Sequence, residues 1–137
     1  MVNVSSGSSG GIHWLLTRIF NRPLGVWGEW VALRYLRRQG WDIVARNWKG
    51  KRGELDLVAF EDQFLVFVEV KTRQVPSALT PEDQITKKKE MMLDSLISEF
   101  TMRYEIFDCP TRLYVIAIET EDMVRYQLRH YVAWDEQ

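Results

Sequence analysis

The run Phe64-Leu65-Val66-Phe67-Val68-Glu69-Val70 constrains this chain more than any other segment. Aromatic and β-branched residues fill it with no polar alternation, the pattern of a central strand buried on both faces. Its one charged member, Glu69, is thereby placed inside a core, and Lys71 follows one pleat beyond on the same face. A buried carboxylate must be ionically paired, bound to a metal or protonated, so this strand carries a chemical question as well as a structural one.

The strand has a partner immediately upstream. Leu55 to Phe60 reads as a second strand, and Asp62-Gln63 between the two fits a two-residue hairpin turn. With that turn, Glu61 pairs with Phe64, Asp56 falls opposite Glu69, and Glu54 falls opposite Lys71, all four side chains on one face. A three-residue loop would put Asp56 and Glu69 on opposite faces unless a bulge restored the register. On the two-residue register Val58, Phe60, Leu65 and Phe67 continue the face as an apolar floor. Cross-strand Cβ atoms lie about 4.5–5.5 Å apart, close enough for two carboxylates to share one hard cation.

The remaining elements form around this hairpin. Gly28 to Gln39 reads as a helix closed by Arg37, Arg38 and the stop residue Gly40. Ala32, Leu33 and Leu36 form its inner stripe, and Glu29 shares that stripe. On the residues alone, Glu29 is either a dipole-stabilised acid or a member of a site. Trp41 to Trp48 is a first strand, followed by the basic turn Lys49-Gly50-Lys51-Arg52-Gly53. Thr80-Pro81-Glu82-Asp83 signals a helix start, with Ile85, Lys89, Met92, Leu93, Leu96, Ile97, Phe100 and Tyr104 as its inner stripe and Met91 and Met92 as core filler. Leu113 to Ile118 and Val124 to Trp134 are the last strands, the final one a candidate sheet edge.

The resulting order, α-β-β-β-α-β-β, is an α/β domain with a mixed sheet of about five strands flanked by helices. It spans residues 25–134, preceded by a flexible leader over 1–24 and followed by a tail over 135–137. The leader contains a Ser/Gly stretch and a short amphipathic helix over 12–21, ended by Pro23.

Composition narrows the chemistry. One cysteine and two histidines in 137 residues exclude a disulfide framework and a Cys- or His-based zinc site, and a lone thiol suits the cytoplasm. No apolar run is long enough to span a membrane. The net charge of -1 advertises no polyanion binding, so local charge must carry that case. It does so between residues 34 and 52, where Arg34, Arg37, Arg38, Arg46, Lys49, Lys51 and Arg52 meet the single acid Asp42. This stretch suits backbone phosphates, although an ordinary solvated face has the same composition. Arg73, Lys87, Lys88 and Lys89 add cations beyond the central strand. Trp41 and Trp48 fit core packing better than base stacking.

For the acidic hairpin two readings stay open on the residues alone. One is a structural ion-pair cluster of Asp56, Glu69 and Lys71. The other is a Mg²⁺ or Mn²⁺ site held by Asp56, Glu69 and the Val70 backbone carbonyl, with Lys71 orienting water and neutralising charge on a phosphate.

Gly28-Glu29, Arg46-Asn47, Gly53-Glu54-Leu55-Asp56-Leu57-Val58 and Val66-Phe67-Val68-Glu69-Val70-Lys71-Thr72-Arg73 occur in this order. With that set the chain resembles the YraN-like family of bacterial proteins over residues 25 to 134. That family is similar to the PD-(D/E)XK nucleases, which include restriction endonucleases and Holliday-junction resolvases. The resemblance implies a restriction-endonuclease-like fold, Asp56 and Glu69 as metal ligands, Lys71 as catalytic lysine and Glu29 as accessory acid, with Thr86 and Lys89 matching a helix motif. It implies a metal-dependent nuclease acting on DNA, branched or damaged, or else a nucleic-acid-binding or scaffold protein that keeps the fold with little catalysis. Symmetric junction cutting would call for a homodimer. One departure stands out: Arg112-Leu113-Tyr114-Val115 replaces the family's usual Arg-Phe-Asp-Val, losing an acid.

Overall fold

A computed structural model describes residues 2–5, 22–76 and 86–136. In chain order the elements are β1 (Val2–Ser5), α1 (Arg22–Arg38), β2 (Asp42–Lys49), β3 (Glu54–Glu61), β4 (Phe64–Gln74), α2 (Lys87–Arg103), β5 (Thr111–Thr120) and β6 (Arg125–Glu136). The α-β-β-β-α-β-β order expected from the sequence is present, with its mixed sheet, and β1 adds a strand.

The sheet order is β1-β6-β5-β4-β3-β2. β4 and β5 run parallel, joined by the connection that contains α2, and every other neighbouring pair is antiparallel. The apolar run occupies the position its composition demands, with β3 on one side and β5 on the other. β6 is covered by β1 and is not an edge strand; Val2 to Ser5 pair with Leu128 to Arg125. β6 also continues through Glu136, beyond the expected end of the domain.

Each face of the sheet carries a helix and a core. On one side Val31, Ala32, Leu33 and Leu36 of α1 pack with Leu57, Ala59, Val66, Val68, Val70, Tyr114 and Ile116. On the other, Leu93, Leu96, Ile97 and Phe100 of α2 pack with Val58, Leu65, Phe67 and Leu113. The alternation along β4 is strict: Leu65 and Phe67 serve the α2 core, while Val66, Val68 and Val70 serve the α1 core. Glu69 and Lys71 therefore lie on the α2 face.

The helix ends explain the boundaries. α1 begins at Arg22, with Pro23 in its first turn, where a missing N–H costs nothing. Pro23 thus opens this helix; the helix expected over 12–21 lies outside the described residues. α1 ends in a Schellman arrangement, with Gly40 N–H donating to Arg37 O at 3.0 Å and Trp41 N–H to Leu36 O at 3.1 Å. Gly40 has a φ of 87°, which a side chain would resist. α2 begins at Lys87, where the Thr86 side chain accepts from the Lys89 N–H at 3.3 Å. The start expected at Thr80 to Asp83 lies outside the described residues. Met91, expected as core filler, is 68% exposed, because the buried stripe of α2 runs through Leu93, Leu96, Ile97 and Phe100. Tyr104 is also exposed, and its hydroxyl accepts from Trp48 Nε1–H at 3.0 Å.

Candidate functional site

The β3–β4 hairpin turns at Asp62-Gln63 and pairs Glu61 with Phe64, as the two-residue turn requires. Asp62 takes a φ of 53°, a left-handed conformation that aspartate tolerates in a tight turn. The ladder continues to Leu57↔Val68 and ends there. One residue further, the Asp56 side chain replaces the backbone pairing: the Val70 N–H donates to Asp56 Oδ2 at 2.8 Å. The expected role of Val70 as a carbonyl ligand is thus accompanied by a different contact, its amide fixing the Asp56 carboxylate.

Side-chain alternation slips at the same place. Leu57 lies in the α1 core, yet Leu55 lies in the α2 core, although two residues apart on a regular strand they would share a face. On the neighbouring strand Arg46 pairs with Leu57 and Trp48 with Leu55, and Asn47 between them has a φ of 48°. The twist at Asn47 and Asp56 opens the end of the sheet, so the acids stand where the strands part.

Among the described residues Glu69 is the most deeply placed charge, with 2% of its surface exposed. Lys71 Nζ lies 3.2 Å and Lys89 Nζ 3.3 Å from its Oε1. Lys71 comes from the same strand and Lys89 from the first turn of α2, so the helix motif and the central strand meet on one oxygen. Glu69 Oε2 is buried and has no hydrogen-bond partner among the described residues. Such an atom is costly unless a donor or cation serves it.

Burial pushes Asp56 up to about 8, and the neighbouring Glu69 charge adds to the shift. The Val70 amide and Lys89 oppose it, and Glu29 reinforces it. Glu29 is raised too, first by burial and then by Glu54, with Glu69 contributing; a hydrogen bond with the Asn47 side chain pulls it back. Three carboxylates, one from α1, one from β3 and one from β4, therefore sense one another electrostatically. Glu54 departs from expectation. It is exposed and acts on Glu29, while the ionic partner of Lys71 is Glu69.

Gly28 brings Glu29 to the site. The glycine is buried against β4, and a Cβ there would run into the Thr72 hydroxyl and Cβ. Only a bare backbone lets α1 come this close, which sets the first turns of the helix against the end of the sheet.

The residues fit a divalent cation in charge and in the orphaned Glu69 oxygen. Among the described residues no three or more Asp, Glu, His or Cys side chains are grouped as a ready-made metal cage. For Mg²⁺ that is a weak objection, because the ion commonly takes one or two carboxylates and keeps water or phosphate oxygens as its other ligands.

Residues 28–118 match the uncharacterised protein family UPF0102. The chain belongs to UPF0102. Among its UPF0102 relatives, one from Rhodococcus opacus is 37% identical over 110 residues, covering 80% of this chain and 93% of the relative. Another from Carboxydothermus hydrogenoformans is 36% identical over 110 residues, covering 80% and 92%. One from Syntrophomonas wolfei is 49% identical over 69 residues, covering 50% of this chain and 60% of that relative's length. The UPF0102 match contains Glu29, Asp56, Glu69, Lys71 and Lys89.

The other expected residues divide by location. Arg46, Lys49, Lys51 and Arg52 are exposed on the edge strand β2 and the turn after it, and Arg73 is half-buried near the end of β4. Trp41 is buried against Tyr114 and His130, and Trp48 packs on Phe100, so both serve packing. Tyr114, where the resemblance led us to expect an acid, lies in the α1 core with its hydroxyl donating to Glu61 Oε1 at 3.4 Å. It is on the opposite face from Glu69 and Lys71, so the departure leaves the carboxylate centre untouched. Asn47 had no expected role beyond its place in the Arg46-Asn47 pair of the resemblance; its other sequence signal was an amide side chain in a strand, a residue type that accepts positive φ. No helix among the described residues is long and apolar enough to cross a membrane.

Proposed function

We propose that the Asp56–Glu69–Lys71 centre hydrolyses phosphodiesters of nucleic acid, with DNA as substrate and Mg²⁺ or Mn²⁺ as cofactor. The observation that carries this reading is Glu69 itself: a buried carboxylate with one oxygen on two lysines and the other on no partner among the described residues. A purely structural ion pair satisfies both oxygens, because an unserved buried oxygen costs about 1–3 kcal/mol. Asp56 and Glu69 are the residues that would hold the ion, with Glu29 as an outer acid. Bound there, such an ion would lower the pKa of a water and help neutralise charge on the phosphate.

The protein's own groups do the rest. Val70 N–H holds Asp56 in one orientation, as a fixed ligand requires. Lys71, 20% exposed and tethered to Glu69, can reach solvent or substrate from that anchor and donate to a phosphoryl oxygen as its charge grows. Burial pushes Asp56 up to about 8 while no ion is bound, so a cation held there would keep the carboxylate ionised and its uptake would release a proton below that value. Glu29, on the helix end pinned by Gly28, closes the acidic side of the site.

One observation favours a second reading, a nucleic-acid-binding protein with little catalysis: Lys89 on Glu69 Oε1 supplies positive charge that a metal would otherwise bring. Purified protein incubated with duplex, single-stranded, flap and four-way-junction DNA in Mg²⁺, Mn²⁺ or EDTA separates the two. Metal-dependent cleavage that falls at least about 100-fold in Asp56→Ala and in Lys71→Ala is the expected result. Cleavage that survives either substitution would sink the mechanism, and binding without cleavage on every substrate would favour the second reading.

A further inference from the structure

A cavity of about 610 Å³ opens between the turn after β2 and the first turns of α2, within the size range of small-ligand clefts, about 300–1,000 Å³. Arg52, Lys88 and Lys89 line it together with the Thr86 and Ser95 hydroxyls, and among the described residues no carboxylate does. Met91 and Met92 form an apolar wall. Lys89 belongs both to this cavity and to the Glu69 centre, so the two adjoin.

The turn that carries Arg52 is held in place. Lys51 N–H donates to Glu99 Oε1 on α2 at 2.8 Å, and Gly50 N–H to Gly53 O at 2.9 Å. A Cβ at Gly50 would come within 2.6 Å of the Leu96 side chain and 2.7 Å of the Glu99 carboxylate, so the turn lies directly on the helix. Arg52 is therefore presented from a docked loop, opposite Lys88. A neighbouring cavity of about 740 Å³ also touches Arg52, but Asp94 and Glu99 line it, and mixed charge selects no anion.

We propose that the cavity between the Lys49–Gly53 turn and α2 binds, through Arg52 and Lys88, a second backbone phosphate of the same nucleic-acid strand, distinct from the phosphate that is hydrolysed. Three cations converging on one cavity beside two hydroxyls suit a phosphodiester, which keeps its charge at any physiological pH. The exposed Met91 beside them offers an apolar surface for a sugar ring, which a free phosphate would not use. The strand then runs from the carboxylates past Lys89 to Arg52. This assignment rests on the reading of the site as a phosphodiester hydrolase.

The test is fluorescence anisotropy of labelled four-way-junction and duplex DNA in EDTA across a salt series. The proteins are the wild type, Arg52→Ala/Lys88→Ala, and Arg125→Glu at the start of β6 as an equal-charge control. All three side chains are exposed, so the fold is retained, checked by circular dichroism. The expected result is about tenfold weaker binding for the cavity pair, with the slope of log K against log salt reduced by about 1, and less than about a twofold change for the control. Wild-type affinity and slope in the cavity pair overturn the proposal, as does an equal loss in the control. Saturation of the cavity by inorganic phosphate without any DNA defect in the pair assigns it to a free anion and also overturns it. If the wild type cleaves DNA while the cavity pair binds normally, the subsite alone fails. If the wild type binds no DNA, the hydrolase reading fails with it.

Discussion

Replacing Asp56 with asparagine separates the electrostatics of the site from its shape. Asparagine keeps an oxygen for the Val70 amide and removes the charge that burial and Glu69 disfavour. The folded-state value of Asp56, about 8, lies above the ordinary aspartate value of 3.8. A group raised in this way gives stability that is fully present below about pH 4 and is lost as pH rises through about 8. Between those limits the wild type should lose up to about 1.4 kcal/mol per pH unit, a ceiling of about 4 kcal/mol from pH 5 to 8. Because Asp56 is partly exposed, solvent screening leaves about half of that as the expected change. Urea denaturation of both proteins in EDTA at half-unit steps from pH 5 to 9 measures it. The advantage of Asp56→Asn over the wild type should grow by about 2 kcal/mol and level off above pH 8. Saturating Mg²⁺ should shrink or reverse that advantage, because only the wild type gains a ligand-bound folded state. A difference that stays constant within about 0.5 kcal/mol across the range would refute the account of Asp56 as a strained acid.

Two further substitutions test the frame that positions the site. Gly28→Ala normally favours a helix by roughly 1 kcal/mol; here the new methyl meets Thr72, so a net loss of about 1–3 kcal/mol is expected in chemical denaturation, and stabilisation would disprove the close approach. Leu96→Ala empties a fully buried position under α2 and should cost about 2–5 kcal/mol, whereas a change below about 1 kcal/mol would show that α2 is not packed there.

How much of this was legible in the sequence follows from range. The hairpin register was readable because turn length and a strict apolar alternation fix it locally, and Glu61 does pair with Phe64. Glu69 and Lys71 followed from that register. The Glu54–Lys71 pairing did not survive, because the strands part at Asp56 and the slip at Asn47 turns neighbouring side chains over, an effect a regular ladder cannot anticipate. The contact of Lys89 with Glu69 depends on how α2 crosses the sheet, and helical periodicity placed Lys89 only on the inner stripe. The additional strand Val2–Ser5 is too short and too polar to signal itself, and it gains its place only from the open edge of β6. Gly28 illustrates the same limit: its presence was plain, but the Thr72 contact that explains it spans two elements.

The claim at the centre of this account is that Asp56 and Glu69 together hold a divalent cation. Electron paramagnetic resonance of Mn²⁺ at pH 8.5, titrated with wild type and with Glu69→Gln, addresses it without any substrate. The account predicts loss of the free-ion signal with wild-type protein, competition by Mg²⁺, and at least about tenfold weaker uptake by Glu69→Gln. Equal uptake by the two proteins, or none by the wild type, would contradict it.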